Sequence, residues 1–207
     1  MIVVLAVADA RAARRAGADA VVVKSLAAIV RRTPVPPNVT ERALKAHAAA
    51  LARLEKQGLS LLPVRFGTVA KDERELRRLL SPLVPELQQA LALTRNRRQM
   101  TVRVRGERAQ PPRTSGRAFI AARAREARVH EADPVRKAVA PFVIAEQTGA
   151  ARPPFVGAIH HLIAAADVAR YASAVAALQR ESPGRFLLSG PMPPFAFATA
   201  ADIHGEI

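Results

Sequence analysis

The sequence predicts an α+β protein of two domains, and three observations predict it. Short β-branched runs alternate with segments of helical periodicity, a polar proline-bearing stretch at 106–112 separates two apolar-periodic halves, and 207 residues suffice for two small cores. A chain of this length buries roughly 70% of the surface its unfolded form exposes and needs no covalent staple. None is available, because the sequence has no cysteine. Disulfides and thiolate metal sites are thereby removed, and nothing argues for an oxidising compartment. The expected compartment is the cytoplasm.

Ile2 to Ala8 is apolar and β-branched, about a third as long as a membrane span and without a basic leader, so it reads as a strand. Ala20 to Val23 and Leu26 to Val30 add two strands, with Gly17 and Asp19 supplying turn chemistry. Three prolines between Thr33 and Asn38 break regular structure. Thr40 then caps a helix over Glu41 to Gln57, in which Leu44, Ala48, Leu51 and Leu54 lie three or four apart and Gly58 follows as the stop. Leu59 to Phe66 is strand-like. Asp72 with Glu75 three residues on is a capping box, and the helix it opens buries Leu76, Leu79, Leu80, Leu83, Leu87 and Leu91, with Pro82 and Pro85 kinking or splitting it at Ser81. Gln99 to Arg105 alternates and closes a first domain, 1–105. Its order βββαβαβ suits a modified ferredoxin-like sheet covered by helices on one face.

The second domain, 113–207, reads as a smaller α+β unit in the order ααβαβ. Helical sequence runs from Gly116 to His130 and from Pro134 to Gln147, and Phe155 to Ala164 is a buried strand. Asp167 is placed to cap a helix to Glu181 with Val168, Tyr171, Val175 and Leu178 on one face. Phe186 to Leu188 is a last strand leading into a proline-rich tail. No stretch approaches 18 uninterrupted apolar residues, so no membrane span or membrane partner is expected.

The net charge of +15 has two readings. Arginine outnumbers lysine 27 to 5 and alanine is abundant, which a GC-rich genome produces without selection for a partner. Against this, residues 95–137 alone carry thirteen basic and four acidic side chains, a concentration that a phosphate backbone or an acidic protein face attracts. A nucleic-acid-binding protein using residues 95–137 is therefore the alternative function. The stacking half of that reading is missing, since aromatics are 4% of the chain and none interleaves with Arg103 and Arg105. Specific nucleic-acid binding is not expected.

A search for chemistry returns little. There is no glycine-rich phosphate loop, nucleophile elbow or paired-histidine zinc helix. His160 and His161 adjoin, but consecutive strand residues point to opposite faces and cannot share one metal. Asp72, Glu73 and Glu75 sit at a helix start, where capping and the helix dipole explain them. No catalytic residue, cofactor site or metal site is expected.

Two proline-bearing segments are unlike core strands. In Leu61-Leu62-Pro63-Val64-Arg65-Phe66-Gly67-Thr68-Val69, Pro63 cannot donate to a ladder and implies an edge or strand start. In Gly190-Pro191-Met192-Pro193-Pro194-Phe195-Ala196-Phe197, three prolines stiffen an apolar strip, which suits either a lid over its own core or a docking edge. These segments, with Ser115-Gly116-Arg117-Ala118-Phe119-Ile120 between them, resemble in the same order three signatures of the gas vesicle F/L family, and the likeness covers nearly the whole chain. The resemblance implies a modified ferredoxin-like first domain, an α+β second domain and a non-enzymatic structural or assembly role at gas vesicles. It also implies binding to the major shell protein and to other accessory vesicle proteins. Arg65, Phe66, Met192, Pro193, Pro194, Phe195 and Phe197 are the residues expected to meet partners. Met192 stands where the family usually has tryptophan and Phe195 where it has tyrosine, so apolar bulk is kept and the polar handle is lost. Arg97-Arg98-Gln99 replaces a stretch where the family would carry a glutamate.

Overall fold

The computed structural model describes residues 1–106, 129–150 and 152–198. The chain forms two compact units, one of Met1–Asn96 with Pro193–Ile207 and one of Arg97–Met192.

The first unit runs β1 (Ile2–Asp9), α1 (Ala10–Arg15), β2 (Ala20–Val23), β3 (Leu26–Arg32), α2 (Glu41–Lys56), β4 (Leu61–Pro63), β5 (Val69–Ala70), α3 (Glu73–Leu80) and α4 (Val84–Thr94). Its antiparallel sheet has the order β2-β3-β1-β4, with β5 also on β1. Helices cover both faces of this sheet, not one as the sequence suggested. Val4 and Val7 pack with Leu76, Leu80, Leu87 and Leu91 of α3 and α4, while Val3 and Ala8 pack with Ala13 of α1 and Leu51 of α2. The unbroken apolar run of β1 is the reason, because a strand buried on both sides loses its alternation. A register shift between Val4 and Ala6 makes Leu5 an extra residue, which puts Val4 and Val7 on one side.

Local chemistry sets the helix ends. Thr40 Oγ1 accepts from the Ala43 N–H at 3.2 Å, and Asp72 Oδ1 accepts from that of Glu75 at 2.8 Å. The long leucine helix breaks where its prolines require, with a 3₁₀ turn at Ser81–Leu83 between α3 and α4. Helix α1, too short to show periodicity, was not expected; the Asp9 carboxylate caps it by accepting from the Ala12 N–H at 2.9 Å. The buried face of α2 is His47 and Leu51, whereas Leu44 is 44% exposed.

The second unit runs β6 (Arg97–Arg105), α5 (Asp133–Val139), β7 (Val143–Gly149), β8 (Phe155–Ala164), α6 (Val168–Glu181) and β9 (Phe186–Met192), with sheet order β7-β8-β6-β9. Met100, Val102, Val104, Ile159 and Ile163 form its core with Val135 and Val139 of α5 and Tyr171 and Val175 of α6. Three expectations are corrected here. Strand β6 does not close a first domain ending at 105; it lies between β8 and β9, so the division falls at Asn96/Arg97 and the tail from Pro193 returns to the first unit. Such pairings lie far apart in sequence and leave no local mark. The helix expected over Pro134–Gln147 stops at Val139, Pro141 follows, and β-branched Val143, Ile144 and Thr148 go into β7. Asp167 makes no capping hydrogen bond at the start of α6 and pairs with Arg170 instead. The helix expected over Gly116–His130 lies, but for its last two positions, outside the described residues.

Both units place their first and third strands centrally and their second and fourth at the edges, with a helix after the first strand and another after the third.

Candidate functional site

The closing strip begins as sheet and ends as an anchor. Phe186–Met192 pairs with β6, Ser189 opposite Thr101 and Met192 opposite Gln99, across a register shift. The Met192 sulfur accepts from Gln99 Nε2 at 3.7 Å. Beyond it the chain enters a 3₁₀ turn, Phe195–Phe197, in which the Phe197 N–H donates to the Pro194 carbonyl at 3.0 Å. Pro194 and Phe197 are buried, and Ala198 joins the core of the first unit. Phe195 points the other way and is 41% exposed. Pro193 is half-buried, as is Met192.

Arg65 and Phe66 follow the short edge strand β4. Arg65 is exposed and Phe66 is half-buried, with its ring edge-on to His47, centroids 5.5 Å apart at 88°. No hydrogen bond, ion pair or ring contact among the described residues joins this pair to the closing strip. His47 is buried, and neither of its ring nitrogens makes a well-formed hydrogen bond. Burial holds its pKa below the ordinary imidazole value, partly offset by the polar Val64 backbone.

The densest polar arrangement among the described residues lies in the second unit. His161, fully buried on β8, has Nδ1 2.7 Å from the Tyr171 hydroxyl and Nε2 2.8 Å from Glu146 Oε2. Arg136 of α5 donates to both Glu146 oxygens, at 2.8 Å from Nη2 and 3.1 Å from Nε, and to Asp133 at 2.7 Å. Burial lowers the His161 pKa despite Glu146. It opposes ionisation of Glu146, but hydrogen bonds from Arg136 and His161 outweigh it and leave that carboxyl below its usual range. Burial pushes the Tyr171 phenol well above its ordinary pKa. A neutral imidazole thus accepts from Tyr171 and donates to Glu146. A general base needs a nitrogen open to substrate; both nitrogens of His161 are taken, so the network fastens β7, β8, α5 and α6 together. In the sequence His161 and Tyr171 were visible only as a strand histidine and a helix-face residue, and nothing local linked them to Glu146 or Arg136.

On the opposite face His160 Nδ1 lies 2.9 Å from Thr101 Oγ1, and a Cβ on Gly149 would come within 2.5 Å of His160 Nε2. The two histidines diverge as alternation requires. The β6 arginines are partly engaged within their own sheet: Arg103 donates to Ser189 at 3.2 Å, and Arg105 lies over the Phe155 ring. Among the described residues no cluster of three or more acidic or histidine side chains could hold a metal, and no helix is long and apolar enough to cross a membrane.

The chain matches the gas vesicle synthesis protein GvpL/GvpF family over residues 6–199. Two solved structures are similar throughout. One is the gas vesicle protein GvpF from Anabaena sp. PCC7120, at a TM-score of 0.74 and 14% identity over 100% of this chain and 99% of that one. The other is GvpF from Microcystis aeruginosa, at a TM-score of 0.73 and 12% identity over 96% and 98%. At such identities the structures show a shared α+β fold. No curated protein matches the chain.

Proposed function

The chain belongs to the gas vesicle synthesis protein GvpL/GvpF family, and we propose that it is a non-enzymatic accessory of gas vesicle formation that binds the major shell protein and other accessory vesicle proteins. On this reading it works in the cytoplasm in association with gas vesicles, and its first unit is a modified ferredoxin-like domain. The observation that carries the proposal is Phe195. It projects, 41% exposed, from a strip whose neighbours Pro194 and Phe197 are buried. A large apolar side chain held rigidly at a surface loses little entropy on docking, and buried aromatics are the usual anchors of interfaces. Arg65 and the half-buried Phe66 form a second candidate contact.

Phe195→Ala tests the reading. Pull-down and titration against the major shell protein should show binding weakened by about 2 kcal/mol or more, with the melting temperature nearly unchanged because the side chain is exposed. Phe197→Ala should do the reverse, costing roughly 3–5 kcal/mol of stability as a buried truncation. Unchanged affinity in a folded Phe195→Ala protein would remove Phe195 from the interface.

A further inference from the structure

An edge strand exposes unpaired N–H and C=O groups, and native chains blunt such edges with short strands, prolines, register breaks or covering side chains. Three of the four sheet edges here are treated in that way. Arg77 reaches from α3 to donate to the Val22 carbonyl of β2. Strand β4 has three residues and ends in Pro63. Strand β9 carries Pro191 and a register shift, and Gln179 donates to its Phe186 carbonyl at 2.9 Å.

Among the described residues the fourth edge, β7, has no comparable protection. It is seven residues long, VIAEQTG, with no proline, lysine or arginine, and Ile144, Glu146, Gln147 and Thr148 are exposed. Its register shift falls at Val143/Ala145 and leaves Ala145–Gly149 regularly paired with β8. Among the described residues nothing hydrogen-bonds its outer side.

We propose that β7 is the seam of a two-fold homodimer, in which β7 of a second copy adds antiparallel to it and the two four-stranded sheets run on as one. The local charge and the register of β7 suit this occupant. A chain of net charge +15 repels its own copy, yet β7 contributes one charge, Glu146, which the Arg136 guanidinium already pairs within the protomer. With Gln147 on the two-fold axis, Gln147 faces its own copy, Glu146 faces Thr148, Ala145 faces Gly149, and the exposed Ile144 faces Ala150. No like charges stand opposite one another. Glu146 on the axis would set carboxylate against carboxylate, and a ladder centred on Gln147 uses the whole regularly paired stretch Ala145–Gly149. The contact is isologous and closes at the dimer. Repulsion between the basic copies is screened by salt, so association should strengthen with ionic strength, whereas capture of an acidic strand from another protein would weaken.

Analytical ultracentrifugation of the full chain over a range of concentrations and two salt levels tests this, independently of any vesicle role. The expected result is a concentration-dependent doubling of mass that grows with salt, together with hydrogen-exchange protection of β7 amides in the dimer. Gln147→Lys and Gln147→Glu, both at an exposed position, should each be monomeric and folded, and an equimolar mixture should restore the dimer by setting opposite charges on the axis. A monomer at every concentration, variants that dimerise like the parent, or a mixture that stays monomeric would overturn the proposal. So would β7 protection that arises only on adding the shell protein, with no dimer formed.

Discussion

His161 is neutral in the folded chain because burial disfavours its charge and because Tyr171 and Glu146 occupy both nitrogens. His160 and His47 are shifted in the same direction, chiefly by burial. Unfolded, these imidazoles take up a proton near an ordinary pKa of about 6.5. Below that pH the unfolded chain holds more protons than the folded one, so stability falls as pH falls. Glu146 acts in the same sense: its folded pKa is depressed, so its contribution is complete above the unfolded carboxylate pKa and is lost as pH drops through the folded value. The melting temperature should therefore decline from about pH 7 to about pH 5. His161→Gln should lower it at neutral pH and flatten, without abolishing, the decline. An unaltered slope in that variant would mean that other groups set the acid sensitivity. The sequence could show that His160 and His161 diverge, since alternation demands it. It could not show which was buried, because that depends on Glu146 and Tyr171 arriving from other elements.

The elements legible in the sequence are those whose signals are local. The caps at Thr40 and Asp72, the break at Ser81 and the strand Phe155–Ala164 all follow from neighbouring residues, and all are present. Strand β9 shows where that approach fails. Its prolines marked a segment unlike a core strand, yet Ser189 and Met192 both pair with β6, and a register shift absorbs the residues between them. Gly190 makes this possible. It sits at φ +122, and a Cβ there would come within 2.8 Å of the Gln99 carbonyl oxygen. Because that neighbour is backbone in a central strand, it cannot yield as a side chain would. Gly190→Ala should destabilise the protein by roughly 1–3 kcal/mol, with strain and overpacking both contributing. Denaturant titration would show it as a lower midpoint at unchanged slope, and a midpoint equal to that of the parent would mean that β9 tolerates displacement from β6.

Among the described residues one plan is used twice, with two central strands, two edge strands and a helix after each central strand, the first sheet adding the two-residue β5. The linear reading, βββαβαβ followed by ααβαβ, hid this plan for two reasons. Helix α1 has only six residues, and β6 was assigned to the strands before it although its partners β8 and β9 come later. The proline-bearing stretch at 106–112, which lies but for Gly106 outside the described residues, was a poor signal for a boundary, because what decides a unit is where the hydrogen bonds of its strands go. The difference has a measurable consequence. Residues 113–207 lack β6, so β8 and β9 lose the strand that joins them and the core loses Met100, Val102 and Val104. Without its centre that fragment should show no native sheet signal by circular dichroism and poorly dispersed amide resonances. Residues 97–192 contain every strand of the second sheet and should fold cooperatively. For the same reason, cleavage within 106–112 should still leave a second unit assembled from two pieces that stay associated until denaturant parts them. A well-folded 113–207 fragment would return β6 to the first unit and restore the boundary to the proline-bearing stretch.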